Sequence, residues 1–430
     1  PPIINKTLFV NILYLVSYTP TIIRTRPHNF IRALARRGHQ LTIATLWENL
    51  SEFEFMQDLS AETGIKVLAF PISKTRRLYN LISAIFTPYP LQSRYSWHPS
   101  LARAVKTAIH ADHFDVIQIE HLRGSPYGLY LNKSITQAQP APALIYDSVD
   151  CISLIYEHAM DKSQSPRWRW ITRFELPRTR RYEAHMVHNV DRVLVTSKKD
   201  KDALQKLAAQ YPSPGSKDGF SKQLPEDHIV VVPNGVDLDE FGQPSRHLPT
   251  KTIVFSGKMS YHPNLSAAIY LVRDIMPRIW ANDPEVRVQL VGKDPPEHIR
   301  KLALEDSRVQ VTGWVPSLQP YLSNADVAVA PMTYGSGIQN KVLEAMACGT
   351  PVVVTPIAIS AISVTPGRDL LVGDTSTDLS KEILRLLTDP SLRVQIGQNG
   401  RKFVEKYHHW DHFASQLEQI YQLTKTPSRN

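Results

Sequence analysis

The sequence predicts an α/β protein of two domains, each built on a doubly wound, mainly parallel sheet. Three observations predict it. Short apolar runs alternate with stretches of helical period along nearly the whole chain, which is the pattern of βαβ units. The alternation pauses near residues 234–250 and then begins again. The chain has 430 residues, more than the roughly 100–200 that one core usually encloses.

The elements follow in order. Leu8–Val16 is a short apolar run closed by a Ser-Tyr-Thr-Pro turn, as suits a strand covered on both faces. From His28 to Arg37 the period becomes helical, with Phe30, Ile31, Leu34 and Ala35 on one side and Gly38 as the stop. Leu41–Leu46 closes a first βαβ unit. Strands are predicted at Lys66–Phe70, Val116–Ile119, Leu144–Tyr146 and Val193–Thr196, with helices between them. Tyr211–Asp227 is rich in Pro, Gly and Ser and reads as an exposed loop. Ile229–Val232 is one more strand, followed by a Pro233-Asn234-Gly235 turn. The second half predicts strands at Thr252–Ser256, Arg287–Val291, Val309–Thr312, Val327–Ala330 and Pro351–Val354. A last helix, about Trp410–Leu423, carries Phe413, Leu417, Ile420 and Tyr421 at helical spacing. Open sheets of this kind bind ligands beyond the carboxyl ends of their strands, so two domains facing each other across a cleft are expected.

Composition narrows the function classes. With 42% hydrophobic and 21% charged residues, the chain is neither disordered nor fibrous. The two cysteines, Cys151 and Cys348, show no C-x-x-C spacing, which speaks against a cysteine-built zinc site and for a reducing, cytoplasmic compartment. No apolar run reaches the length of a spanning helix, and Pro1–Lys6 lacks the features of a signal peptide. A soluble protein, at most peripheral on a membrane, is expected. The net charge of +9 suits an anionic partner of some kind: nucleic acid, lipid or a phosphorylated substrate.

The densest motif is Tyr334-Gly-Ser-Gly-Ile-Gln-Asn-Lys-Val-Leu-Glu-Ala-Met-Ala-Cys-Gly-Thr-Pro-Val-Val-Val354. A strand ends near Pro331, and a glycine-rich turn leads into a helix. Gly335 and Gly337 leave amides open at a helix N-terminus, where the dipole favours phosphate. Glu344 is placed to accept two hydrogen bonds from a sugar diol. The plain alternative is a strand–turn–helix crossover in which the glycines only permit packing, and spacing alone leaves the two about equal.

This stretch resembles the signature helix of family-4 retaining glycosyltransferases with the GT-B fold. Phe255-Ser-Gly-Lys-Met259 with His262-Pro-Asn264 resembles that family's donor-phosphate loop. Leu290-Val-Gly-Lys293 and Val311-Thr-Gly-Trp-Val315 resemble its two base-holding loops, and Val231-Val-Pro-Asn-Gly-Val-Asp237 its interdomain linker. The resemblance implies two Rossmann-like domains. One spans 1–235, is completed by the last helix at 408–430, and binds the acceptor; the other spans 236–407 and binds the nucleotide sugar. It also implies that Glu344 binds the ribose and that Lys258, beside Gly257, and Lys341 meet the diphosphate. Amides near Gly337 and Ile338 would support that diphosphate, while Val291, Gly292, Trp314 and Val315 frame the base. Ser336 stands where the family often has a glutamate that contacts the donor sugar, and Lys258 is what remains of a common basic pair.

The acceptor side offers several candidates. Glu120 and His121 end a first-domain strand, either able to orient the acceptor hydroxyl or the donor sugar; a structural His is the commoner case. Asp147 and Asp150 end another, where one carboxylate is able to take the acceptor proton; capping of the next helix by Asp150 is the competing reading. Arg24 and Arg26, in the loop after the first strand, are either grips for an acidic group or solvated surface, with the latter slightly favoured. Arg167–Tyr182 holds six arginines, two tryptophans and Phe174. That mixture suits an anionic membrane surface, or equally a solvated helix in which Glu175 and Glu183 pair with arginines. No metal-ligand spacing is present, so a nucleotide-sugar donor handled without metal or other cofactor is expected. The function expected is transfer of a hexosyl unit, from UDP above all, to a lipid-linked glycan, a polysaccharide or a small molecule. An epimerase or phosphorylase on the same frame is the alternative, and a nucleic-acid-binding protein a weaker one.

Overall fold

A computed structural model of the chain describes residues 9–22, 24–162, 166–212, 224–242, 250–334 and 338–425. The chain divides into two compact units. The first is Pro1–Val232 with Phe413–Asn430, and the second is Pro233–His412.

The first unit is a seven-stranded sheet. Its strands are β1 (Asn11–Val16), β2 (Gln40–Trp47), β3 (Lys66–Pro71), β4 (Val116–Glu120), β5 (Ala143–Val149), β6 (Arg192–Val195) and β7 (Ile229–Val231). They lie in the order β3-β2-β1-β4-β5-β6-β7, and every pairing is parallel. β4 is buried along its whole length, as a central strand covered on both faces must be. Leu13, Leu15, Ile117, Ile119, Tyr146 and Val193 form the middle of the core. Helix Thr25–Arg36 packs Phe30, Ile31, Ala33 and Leu34 inward. It stops where the motif predicts, because Gly38 adopts φ +89°, a left-handed value that glycine takes without strain.

The second unit is a six-stranded sheet of β8 (Thr252–Ser256), β9 (Arg287–Val291), β10 (Val309–Gly313), β11 (Val327–Ala330), β12 (Val352–Val354) and β13 (Leu371–Val372). The order is β10-β9-β8-β11-β12-β13, again all parallel. The last strand, with two residues, is too short for a periodicity argument to find. In each sheet the first strand lies between the second and the fourth, so the crossovers change direction at β1/β4 and at β8/β11. A doubly wound sheet opens a crevice at that point, beyond the strand ends.

Helix Trp410–Lys425 contributes its residues from Phe413 onward to the first unit. Glu418 accepts from Nε and Nη2 of Arg37, each at 2.6 Å, and lies 2.7 Å from the His39 ring. Tyr421 donates to the Gln118 side chain on β4. Among the described residues no helix is long and apolar enough to cross a membrane.

Candidate functional site

In the second unit the described donor candidates lie on the loops after β8, β9 and β10 and on the helix after β11, around the β8/β11 crevice. Three loops leave the strand ends there and are bonded to one another. The Gly257 amide donates to Val291 O at 2.9 Å, the Gly292 amide to Gly313 O at 3.1 Å, and the Met259 amide to Lys293 O at 3.0 Å. Gly257 and Gly292 take φ values of +146° and +149°. A Cβ on Gly292 would overlap the carbonyl of Gly257. Close backbone approach is the reason for glycine at 292, while at 257 a Cβ would meet the Asn264 side chain and the backbone angle itself favours glycine.

Helix Asn340–Ala347 follows the turn after β11. Gly335, Ser336 and Gly337, the centre of the predicted phosphate turn, lie outside the described residues. Ile338 is buried at the helix entrance. Val342, Leu343 and Met346 anchor the helix in the core, which sets Lys341 and Glu344 together on the opposite side, three residues apart. The Lys341 ammonium lies 2.5 Å from the side-chain oxygen of Asn264 and 5.1 Å from the centre of the Phe255 ring. Burial pulls its pKa down to about 8. Burial, helped by the charge of Glu240, pushes Glu344 up to about 7. Both groups therefore carry charge in surroundings that resist it, as binding sites for charged or polyhydroxyl ligands do. Lys258 is exposed and loosely tied to Asp294 at 3.6 Å. Val291 is fully buried, Val315 half-buried, and Trp314 65% exposed, an unusual degree for an indole and one that leaves a broad apolar face open.

The sequence reading missed Asn264 as the partner of Lys341 and Glu240 as the neighbour of Glu344. Asn264 stood in a quoted motif, but only the fold brings it to Lys341.

In the first unit, Glu120 and His121 sit at the end of β4, in the β1/β4 crevice. Glu120 is buried and accepts from Tyr18 at 2.6 Å and Tyr14 at 3.2 Å. Burial first, then the charge of Asp147, raise its pKa to about 7. His121 adopts φ +63°, an uncommon conformation for a side-chain-bearing residue and one that clusters at functional sites. Its Nδ1 accepts from the Arg123 amide at 3.3 Å. Burial, with Arg123 and Arg24 nearby, lowers its pKa to about 3, so the ring is neutral and acts as a hydrogen-bonding group.

Asp147 is fully buried, 2.9 Å from Arg26 Nε, with Gln118 at 3.4 Å. Arg26 also donates to Val232 O at 2.9 Å. The solvated-surface reading of this arginine is thus corrected, while Arg24 is exposed as that reading has it. Asp150 is half-buried with its pKa raised to about 7 by burial and by Asp200. It does not cap helix Ile152–Lys162. Glu183 does so, accepting from the amides of Ile152 and Ser153 at 2.6 and 3.2 Å, while Asp200 accepts from Cys151 at 3.0 Å.

Among the described residues Glu183 forms no ion pair with the arginines of the 167–182 segment. Within it Arg178 pairs with Glu175 at 3.1 Å and Arg180 with Glu157 at 2.7 Å. Trp170 is 71% exposed and stacks on Phe174. The side chains of Arg167, Trp168 and Arg169 lie outside the described residues. Among the described residues no group of three or more His, Cys, Asp or Glu side chains is placed to hold a metal ion.

Two family models match this chain. One described as Glycosyltransferase Family 4 covers residues 24–240, just over half of the chain. One described as Glycosyl transferases group 1 covers residues 250–389. A GDP-mannose-dependent monoacylated alpha-(1-6)-phosphatidylinositol monomannoside mannosyltransferase of Corynebacterium glutamicum is 28% identical over 50% of this chain and 60% of its own length. A phosphatidyl-myo-inositol mannosyltransferase of Mycobacterium tuberculosis is 27% identical over 45% of this chain and 53% of its own. The chain thus spans little more than half the length of these curated relatives. Among solved structures, a sucrose-phosphate synthase from Thermosynechococcus elongatus aligns with TM-score 0.66 at 19% identity, over 96% of this chain and 98% of that one. Anabaena HepE in complex with UDP and glucose aligns with TM-score 0.64 at 14% identity, over 96% of this chain and 100% of the other. At such identities the likeness concerns the fold, which is that of two-sheet GT-B proteins.

Proposed function

The chain belongs to glycosyltransferase family 4, and from that membership we propose that it moves a hexosyl unit from a nucleotide sugar, UDP-linked, to a hydroxyl acceptor with retention of anomeric configuration. The observation that carries this reading is the placement of Lys341 and Glu344, both half-buried, on one side of a helix that starts at the β8/β11 crevice. In the reaction, the bond from the anomeric carbon to the diphosphate breaks as the acceptor oxygen bonds to the same face. The leaving diphosphate keeps the electron pair, and its oxygen takes the proton that the acceptor hydroxyl gives up. Lys341, held by Asn264, and the freer Lys258 offset its charge, so no metal ion is required for neutralisation. Charge placed in advance is usually the largest contribution to such catalysis.

Glu344 as a carboxylate accepts from the two ribose hydroxyls, and the loops at Val291, Gly292 and Val315 receive the base, with Trp314 alongside. On the acceptor side neutral His121 and the half-buried Asp150 are the groups available to orient a hydroxyl, with Glu120 acting through the Tyr18 hydroxyl it holds, because Asp147 is committed to Arg26. The relative named as GDP-mannose-dependent makes the base a question for experiment. Calorimetric titration with UDP-, GDP- and ADP-glucose is expected to give tightest binding for the uridine compound, and binding of none of the three would overturn the reading. NMR of the product anomer tests retention.

A further inference from the structure

At the crevice of the first unit three arginines, Arg24, Arg77 and Arg123, gather around the rings of Tyr18 and Tyr95. Tyr18 follows β1, Arg123 lies two residues past His121, and Arg77 belongs to helix Lys74–Ile85 after β3. Arg123 and Arg77 flank one ring: their guanidinium carbons lie 5.1 and 4.9 Å from the centre of Tyr95. The guanidinium of Arg24 lies 4.5 Å over Tyr18, whose hydroxyl is bonded to Glu120. Of the three arginines only Arg77 has a carboxylate, Glu48 at 2.6 Å. Among the described residues Arg123 and Arg24 form no ion pair, and the buried Nε–H groups of Arg77 and Arg123 find no acceptor. The like charges of Arg24 and Arg77, with burial, depress the pKa of Arg123. Packing guanidiniums against each other opposes folding unless a ligand or partner offsets it. Tyrosine faces hold them in place, and the whole group adjoins the residues proposed to orient the acceptor.

We propose that Arg24, Arg77 and Arg123 form a subsite for a phosphate group on the acceptor, which places the hydroxyl to be glycosylated beside Glu120 and His121. This rests on the transferase reading for its reaction, though not for the anion binding itself. Arginine is suited to it because the guanidinium fork matches two phosphate oxygens at once. The phosphate belongs to a soluble phosphomonoester or to a lipid headgroup, and the same chemistry holds either.

The test titrates the full chain by calorimetry with glycerol 1-phosphate, with glycerol as its neutral match, and separately with UDP. Glycerol 1-phosphate is expected to saturate and glycerol not to bind. Arg123→Gln, and the exposed Arg24→Gln, whose fold is not at stake, are each expected to weaken the phosphate by about tenfold or more and to leave UDP affinity as it was. Equal phosphate affinity in wild type and both variants would overturn the subsite, as would a parallel fall in UDP affinity, which would assign these arginines to the donor. Sedimentation with phosphatidylcholine vesicles, with and without phosphatidic acid, separates the sources. Arg123-dependent capture by phosphatidic acid assigns the lipid, and glycerol phosphate binding without it assigns the soluble acceptor. Absence of both overturns the proposal. If UDP, GDP and ADP sugars all fail to bind while the phosphate still does, the transferase reading falls and the anion subsite stands.

Discussion

The side-chain oxygen of Asn264 receives the Lys341 ammonium at 2.5 Å, so two chain segments 77 residues apart fix one cation at the β8/β11 crevice. Removing the charge with Lys341→Met should cut kcat by about 10²–10³, the usual cost of losing one preorganised group for a developing anion. Asn264→Ala keeps the charge and frees it, and should cost less. Steady-state kinetics checks the order, and melting temperatures at or above wild type in Lys341→Met would show that the loss is not one of folding.

Glu344 holds a proton more tightly in the native state than in the unfolded chain, since its pKa rises from 4.5 to about 7. Stability must then fall as pH rises between those values, because the native state binds more protons there. Glu344→Gln, which imitates the neutral acid, should be more stable than wild type above pH 7 by on the order of 2 kcal/mol, and indistinguishable from it near pH 4. Urea midpoints across that range would show this. The same substitution should weaken the nucleotide, because the amide accepts only one of two diol hydrogen bonds.

Gly292→Ala should lower the stability of the second unit by about 2–4 kcal/mol. The backbone angle is unfavourable to alanine, and the new methyl meets the Gly257 carbonyl. A guanidinium melt followed by Trp fluorescence, with and without UDP, is the measurement; partial recovery by UDP is expected if the loops close around it.

Arg26 and Asp147 form a buried ion pair, with side chains 4% and 0% exposed. Arg26→Met or Asp147→Asn alone leaves a buried charge without its counter-ion and should cost about 3–5 kcal/mol. The double variant should lose less than the sum, by an amount that a urea double-mutant cycle reads directly.

Much of the fold is legible in the sequence, because parallel strands buried on both faces must be continuous apolar runs. The expected bounds Thr252–Ser256 and Val327–Ala330 coincide with β8 and β11 for that reason, and those of Arg287–Val291 coincide with β9, whose first residue is exposed. The second-unit site was legible in its motifs, yet its internal bonds were not. Lys341 meets Asn264 only once β8 and β11 are adjacent, and neither residue's neighbours announce it. The first-unit crevice was harder still. Arg26 and Asp147 are 121 residues apart, and Arg77 and Arg123 reach the ring of Tyr95 from the helix after β3 and the helix after β4. The capping of helix Ile152–Lys162 by Glu183 escaped for the same reason: a carboxylate from another helix displaced the local candidate.

The membership of Phe413–Asn430 in the first unit bears on the order in which the protein is made. When the ribosome has produced everything through His412, β4 still lacks the Tyr421 hydroxyl on Gln118, and Arg37 and His39 still lack Glu418. The second unit, contiguous in the chain, is free to mature earlier. The first unit therefore has to wait until Phe413–Asn430 has been translated before its structure is finished, and a nascent chain stalled short of that segment would expose the central strand to chaperones and proteases.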